Sequence, residues 1–158
     1  MKKRIFDFVI SLLGLILASP FILSFLFLIW RHDRHSPIFK AKRVGKNGKI
    51  INVYKMRSMV INADKKGGDS TSANDVRITR VGHIIRAYKI DELLQLYNVV
   101  TGTMSLVGPR PNVDWDVNLY TTTERNLLSV RPGITDFSSI VFSDEGEILN
   151  DHADPDLA

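Results

Sequence analysis

Two adjacent carboxylates open the segment Ile90-Asp91-Glu92-Leu93-Leu94-Gln95-Leu96-Tyr97-Asn98-Val99. As a candidate catalytic pair they are weak evidence alone, because Asp91 is well placed to cap this helix and acidic residues in a first turn are stabilising anyway. Other charged residues add to the case. Lys55 lies in a lysine-rich stretch, Lys49 to Arg57, that reads as a short strand entered from the turn Lys46-Asn47-Gly48. Arg86 precedes the carboxylate pair. Arg110 stands between Pro109 and Pro111, which limit its backbone. Arg131-Pro132-Gly133-Ile134-Thr135 repeats the theme of an arginine beside a rigid turn. A preset guanidinium suits a phosphate or a planar ligand, although either turn alone reads as an exposed arginine. Together these residues suit an anionic substrate.

The elements that must position them begin with an unusual N-terminus. Phe8 to Trp30 runs 23 residues without Asp, Glu, Lys, Arg or His. As a helix it would measure about 34 Å, enough for a bilayer core of roughly 30 Å. Ser19-Pro20 sits at its centre, where proline removes a backbone donor and kinks or breaks the helix. Basic residues flank both ends: Lys2, Lys3 and Arg4 before it, Arg31, Arg34, Lys40, Lys42, Arg43, Lys46 and Lys49 after it. Basic flanks favour the cytoplasmic side, and a straight span cannot satisfy both. A re-entrant hairpin broken at Ser19 and Pro20 satisfies them; a kinked spanning helix with a basic tail is the competing form. A soluble chain of 158 residues would have difficulty burying a helix apolar on all sides. Arg4, three positions before Asp7, could pair with it on one helix face.

Charge is distributed unevenly. Residues 1–60 hold 12 Lys/Arg and 2 Asp/Glu, a net +10, whereas residues 111–158 hold 2 and 10, a net −8. A basic, apolar first third points to lipid headgroups or phosphorylated ligands rather than nucleic acid. There is no cysteine, which excludes disulfides and thiolate metal sites. Arg77 to Ala87 reads as a short amphipathic helix, lying in the membrane interface or packing on a small core. Lys65 to Asn74 reads as a mobile loop.

Taken in order, Lys3-Arg4-Ile5-Phe6-Asp7, Ser19-Pro20, Tyr54-Lys55-Met56-Arg57-Ser58-Met59, Asp91-Glu92-Leu93-Leu94-Gln95-Leu96, Ser105-Leu106-Val107-Gly108-Pro109-Arg110-Pro111 and Arg131-Pro132-Gly133-Ile134-Thr135 resemble the monotopic phosphoglycosyl transferases. These are bacterial sugar transferases that prime surface glycans on polyprenyl phosphate. The resemblance covers about residues 2–135. It implies an α+β, mainly helical fold: a re-entrant membrane helix-break-helix, interfacial amphipathic helices and a small compact catalytic unit with short strands. The expected division is residues 1–35 as membrane anchor and 36–158 as membrane-associated catalytic domain. The implied reaction moves a sugar 1-phosphate from a UDP-sugar to undecaprenyl phosphate, releasing UMP. It uses Mg²⁺ and a covalent intermediate on Asp91. Asp91 and Glu92 are then the catalytic and metal-binding residues, and Lys55, Arg86, Arg110 and Arg131 bind substrate. The implied partners are the UDP-sugar, undecaprenyl phosphate, anionic membrane lipids and a possible homodimer mate, with no nucleic acid. The implied location is the cytoplasmic face of the bacterial inner membrane. After Ile134-Thr135 the chain departs from the commonest family pattern with Asp136-Phe137-Ser138-Ser139-Ile140, and later carries Asp144-Glu145-Gly146-Glu147. Family members usually run on into a final amphipathic segment, so a chain ending at Ala158 is expected to be truncated or to dispense with that end. A non-catalytic scaffold would have the same anchor but release no UMP, and a lipid-diphosphate phosphohydrolase would need no acceptor.

Overall fold

A computed structural model of the protein describes residues 2–63 and 75–136. Lys65 to Asn74, the Asp144–Glu147 cluster and the acidic tail lie outside them. The apolar run belongs to one helix, α1 (Lys2–Asp33), with Pro20 inside it. Pro20 has no N–H for the carbonyl four residues back, that of Ile16. The Ser19 hydroxyl donates to that carbonyl instead, at 2.7 Å. Ser24 donates to the Pro20 carbonyl at 2.8 Å. The described chain therefore forms one continuous helix that carries its proline, not two separated half-helices.

The buried residues of α1 are Asp7, Ser11, Ile22 and Ile29, whose spacing puts them on one stripe. The rest of the helix surface exposes large apolar side chains, with Leu17 77%, Phe21 66% and Leu23 65% exposed. Both ends of the stripe are tied to the rest of the chain. At the head, Lys3 reaches Asp7 at 3.1 Å and the Ser105 hydroxyl donates to the same carboxylate at 2.7 Å. Arg4 does not pair with Asp7; its guanidinium donates to the Val99 and Val100 carbonyls, at 2.5 and 2.9 Å. Those carbonyls lie in the last turn of a helix, where the aligned peptide dipoles favour a cation. At the tail, Arg57 forms a two-pronged pair with Asp33, one bond at 2.7 Å, and donates to the Ser36 carbonyl at 2.8 Å. The guanidinium holds the Asp33 carboxyl well below the usual carboxylate range.

Next comes an antiparallel hairpin, β1 (Ile38–Val44) and β2 (Ile50–Met56), in register from Ile38 opposite Met56 to Val44 opposite Ile50. Its turn uses left-handed backbone at Asn47 (φ 58°) and Gly48 (φ 72°), residues that tolerate it. Helix α2 (Arg80–Ala87) is capped by Thr79, whose hydroxyl accepts from the Gly82 N–H at 2.9 Å. It starts three residues later than the apolar pattern suggests, and Arg77 stays outside it, paired with Asp75 at 2.6 Å. The inward face of α2 packs on a core rather than facing outward: Ile85 joins Ile22, Ile29 and Met56, with Val81 beside them. A 3-10 turn, Ile90–Leu94, leads directly into α3 (Gln95–Thr101), which Gly102 stops with φ 86°. A second cluster, Ala41, Val53, Val99 and Met104, joins the hairpin to α3.

Strands β3 (Ser105–Val107) and β4 (Gly133–Thr135) pair in parallel. The crossover between them holds α4 (Asp114–Asn118) and a 3-10 turn, Glu124–Ser129. The two arginine-bearing turns meet here, glycine to glycine. A Cβ on Gly108 would stand 2.4 Å from the Arg131 carbonyl oxygen, and one on Gly133 2.2 Å from the Gly108 nitrogen.

Candidate active site

The carboxylate pair sits in the 3-10 turn, not at a capping position. No side-chain cap bond closes this helix start, whose N-cap residue is Lys89 in left-handed conformation. The turn is fixed from below, because Ile90, Leu93 and Leu94 pack against the cluster that contains Ile22 and Ile29 of α1. The apolar helix thus forms the floor of the site. Asp91 is only 9% exposed. Burial pushes its carboxyl above the ordinary carboxylate range, against the attraction of Lys55 and Arg86 and with the repulsion of Glu92. Glu92 is held by Lys55, Nζ to Oε1 at 2.9 Å, both side chains being partly buried. The fold therefore gathers Asp91, Glu92, Lys55 and Arg86 from β2, α2 and the turn between α2 and α3.

Arg110 and Arg131 lie elsewhere. Arg131 donates from Nε to the Gly102 carbonyl at 2.8 Å, at the far end of α3. The rise of the 3-10 turn and of α3 puts that point about 18 Å from Asp91. Arg110 lines a cavity of about 470 Å³ with Val44, Gly45, Asn112, Tyr120 and Asp136 among its walls. Val44 and its partner Ile50 mark the turn end of the hairpin, five residues or about 17 Å along β2 from Lys55. The Arg110 N–H donates to Asp136 Oδ2 at 3.0 Å, which fixes the turn's backbone. The site thus has an acidic centre over the apolar helix and an arginine-lined cavity beyond the other end of the strand.

Among the described residues no group of three or more His, Cys, Asp or Glu side chains could hold a metal ion. The hard-oxygen donors here are the Asp91–Glu92 pair. Two carboxylates fit Mg²⁺, which keeps several waters and commonly takes its remaining ligands from substrate phosphates.

Sequence reasoning attached no function to Asn98. It is 1% exposed, and its amide bonds to both β2 and Thr103. The available signal was an amide in mid-helix between Tyr97 and Val99, where a solvent-facing polar residue would be the default.

A family model described as bacterial sugar transferase matches residues 1–157. A Bacillus subtilis protein named as a candidate undecaprenyl-phosphate N-acetylgalactosaminyl 1-phosphate transferase is 46% identical over 109 residues, covering 69% of this chain and 61% of its own. The undecaprenyl-phosphate galactose phosphotransferase of Salmonella typhimurium is 39% identical over 148 residues, 84% of this chain and 31% of its own. The UDP-glucose:undecaprenyl-phosphate glucose-1-phosphate transferase of Klebsiella pneumoniae is 36% identical over 141 residues, 87% of this chain and 30% of its own. The chain thus spans about three fifths of the first relative and about a third of the other two. With a match along nearly its whole length, the chain belongs to the bacterial sugar transferase family.

Proposed function

We propose that this chain is the catalytic unit of a membrane-bound phosphoglycosyl transferase, moving a sugar 1-phosphate from a UDP-sugar to undecaprenyl phosphate and releasing UMP. The observation that carries the reading is the buried Asp91, flanked by Lys55 and Arg86 on a turn whose underside rests on the apolar helix α1. The names of the relatives supply the acceptor and the donor class.

In this reading an Asp91 carboxylate oxygen attacks the β-phosphorus of the UDP-sugar. The bond from that phosphorus to the bridging oxygen breaks, and UMP leaves with the electron pair. A phosphate oxygen of undecaprenyl phosphate then attacks the same phosphorus. The Asp91–phosphorus bond breaks, restoring the carboxylate and giving undecaprenyl diphosphate sugar. The carboxylate needs no base to activate it. Lys55 and Arg86 favour its ionised form and meet the growing negative charge on the phosphoryl oxygens. Lys55 also fixes Glu92. Bound Mg²⁺, held by Asp91 and Glu92, would offset charge on the diphosphate and the departing UMP. Arg110 and its cavity would take the nucleotide end of the donor. Arg131 would act there too, beside the Arg110 turn.

We further propose that α1 is a re-entrant anchor, residues 1–35, with residues 36–158 on the cytoplasmic side. Asp7 and Asp33 both bond to the same compact unit, through Ser105 and Arg57. Twenty-six residues of straight helix would separate them by about 39 Å, and a compact unit of about 100 residues is only about 33 Å across. A bend at Pro20 resolves the difference. The outward apolar face would then enter one leaflet, with the basic flanks at anionic headgroups.

The test uses UDP-sugar labelled in the sugar. Without lipid acceptor the protein should retain label, which peptide mapping should place on Asp91. With acceptor, UMP release should follow ping-pong kinetics. Rapid turnover with sequential kinetics and no adduct would instead mean direct attack by the lipid phosphate.

A further inference from the structure

Among the described residues strand β2 pairs with β1 alone, so its other edge presents backbone groups that no strand takes. One amide side chain satisfies two of them. Asn98 Oδ1 accepts from the Tyr54 N–H at 3.0 Å, and Asn98 Nδ2 donates to the Asn52 carbonyl at 2.7 Å. Residues 52 and 54 direct these groups to the same side, as i and i+2 of a strand must. The second Nδ2 hydrogen goes to Thr103 Oγ1 at 3.1 Å, and that hydroxyl donates onward to the Asn98 carbonyl at 3.1 Å. Three bonds use every donor of the amide and fix which atom is oxygen.

The bonds bracket Val53, and one of them ends on Tyr54, the residue before Lys55. Asn98 itself lies on α3, which continues from the turn carrying Asp91 and Glu92. The same side chain therefore sets the position of β2 against the helix that follows the carboxylates. The Lys55–Glu92 contact at 2.9 Å closes the loop between those two elements. We propose that Asn98 is a positioning residue of this site: its amide stands in for a third strand on the open edge of β2 and thereby holds Lys55 on Glu92. The inference rests on the transferase reading above.

Asn98→Leu keeps the branching and the number of heavy atoms and removes all three amide bonds, including both to β2. Thr103→Val removes the third bond and the hydroxyl's bond to the Asn98 carbonyl, and leaves the two bonds to β2 in place. Both should lower stability, but only Asn98→Leu should lower kcat, by about 10- to 100-fold for a displacement near 1 Å, with KM for the UDP-sugar little changed. Amide exchange in the peptide covering 50–57 should accelerate in Asn98→Leu and not in Thr103→Val. A double-mutant cycle with Lys55→Met separates positioning from general loosening. If Asn98 acts through Lys55, the kcat effects of the two changes are strongly sub-additive. Additive effects would overturn the inference, as would equal kcat losses in Asn98→Leu and Thr103→Val. If Asn98→Leu does not fold, Asn98→Asp replaces it in every arm, since it keeps the acceptor for Tyr54 and sets an oxygen against the Asn52 carbonyl. Wild-type UMP release distinguishes the two failures: without it the transferase reading falls, and with it a normal Asn98 variant sinks only the positioning role.

Discussion

Replacing Gly108 with alanine would set a methyl group 2.4 Å from the Arg131 carbonyl oxygen and 3.0 Å from the Gly133 nitrogen. Carbon–oxygen contacts in proteins rarely close below about 3.3 Å, so the two turns must part by about 1 Å. Two backbone bonds cross that gap, Gly133 N–H to Pro109 at 2.9 Å and Gly108 N–H to Thr135 at 3.1 Å. Stretched by about 1 Å, neither remains a hydrogen bond. At about 1.5 kcal/mol each the loss is about 3 kcal/mol. For a chain of this size that lowers Tm by about 9 °C, readable by a thermal-shift assay in detergent. Gly133→Ala creates the reciprocal collision, 2.2 Å from the Gly108 nitrogen, so the double variant should cost little more than either single one. Gly14→Ala is the control: its methyl would meet only Leu96 Cδ1, at an ordinary 3.4 Å, and helix propensity favours it. A Gly108→Ala Tm within about 2 °C of wild type, or fully additive losses, would refute the reasoning.

Two further outcomes follow from the site and the anchor. Burial raises the Asp91 carboxyl above its unfolded value, so its favourable contribution to stability is complete below the unfolded pKa and is lost as pH rises through the folded one. Asp91→Asn should therefore be at least as stable as wild type at neutral pH, with the advantage shrinking under acid, while turnover collapses; lower stability at neutral pH would make Asp91 a structural residue. Cysteines introduced at Lys2 and at Lys46 in this cysteine-free chain should label equally with an impermeant thiol reagent in sealed vesicles, and opposite labelling would mean a true span.

Features set by neighbours in the chain were legible in the sequence. The Asn47-Gly48 turn, the Gly102 stop and the strand before Arg57 all follow from local backbone preference. Of the residues expected at the site, Lys55, Arg86, Asp91 and Glu92 lie together while Arg110 and Arg131 lie apart from them, and the roles of all six rest on the reaction proposed above. What remained hidden depends on distant partners. Arg4 and Lys3 are equivalent candidates for Asp7 until the end of α3 arrives and draws Arg4 away. The parallel pairing of β3 with β4 joins segments some 25 residues apart, and nothing local announces it. Asn98 reads as an ordinary polar residue until β2 offers an open edge. The late start of α2 was available in the sequence, since Thr79 is a favoured capping residue three positions before Gly82.

Ser19 and Pro20 also bear on how this anchor can change over generations. The Ile16 carbonyl lost its usual donor to Pro20 and found another in the Ser19 hydroxyl. In water the loss of that hydroxyl would matter little. In hydrocarbon a bare carbonyl costs several kcal/mol. The two positions are therefore not independent, and the order of their replacement matters. A lineage that first exchanges Pro20 for alanine restores the backbone donor and leaves Ser19 free to drift. A lineage that first loses Ser19 meets a barrier while the proline stands. The pair can leave the helix by one route and not by the other.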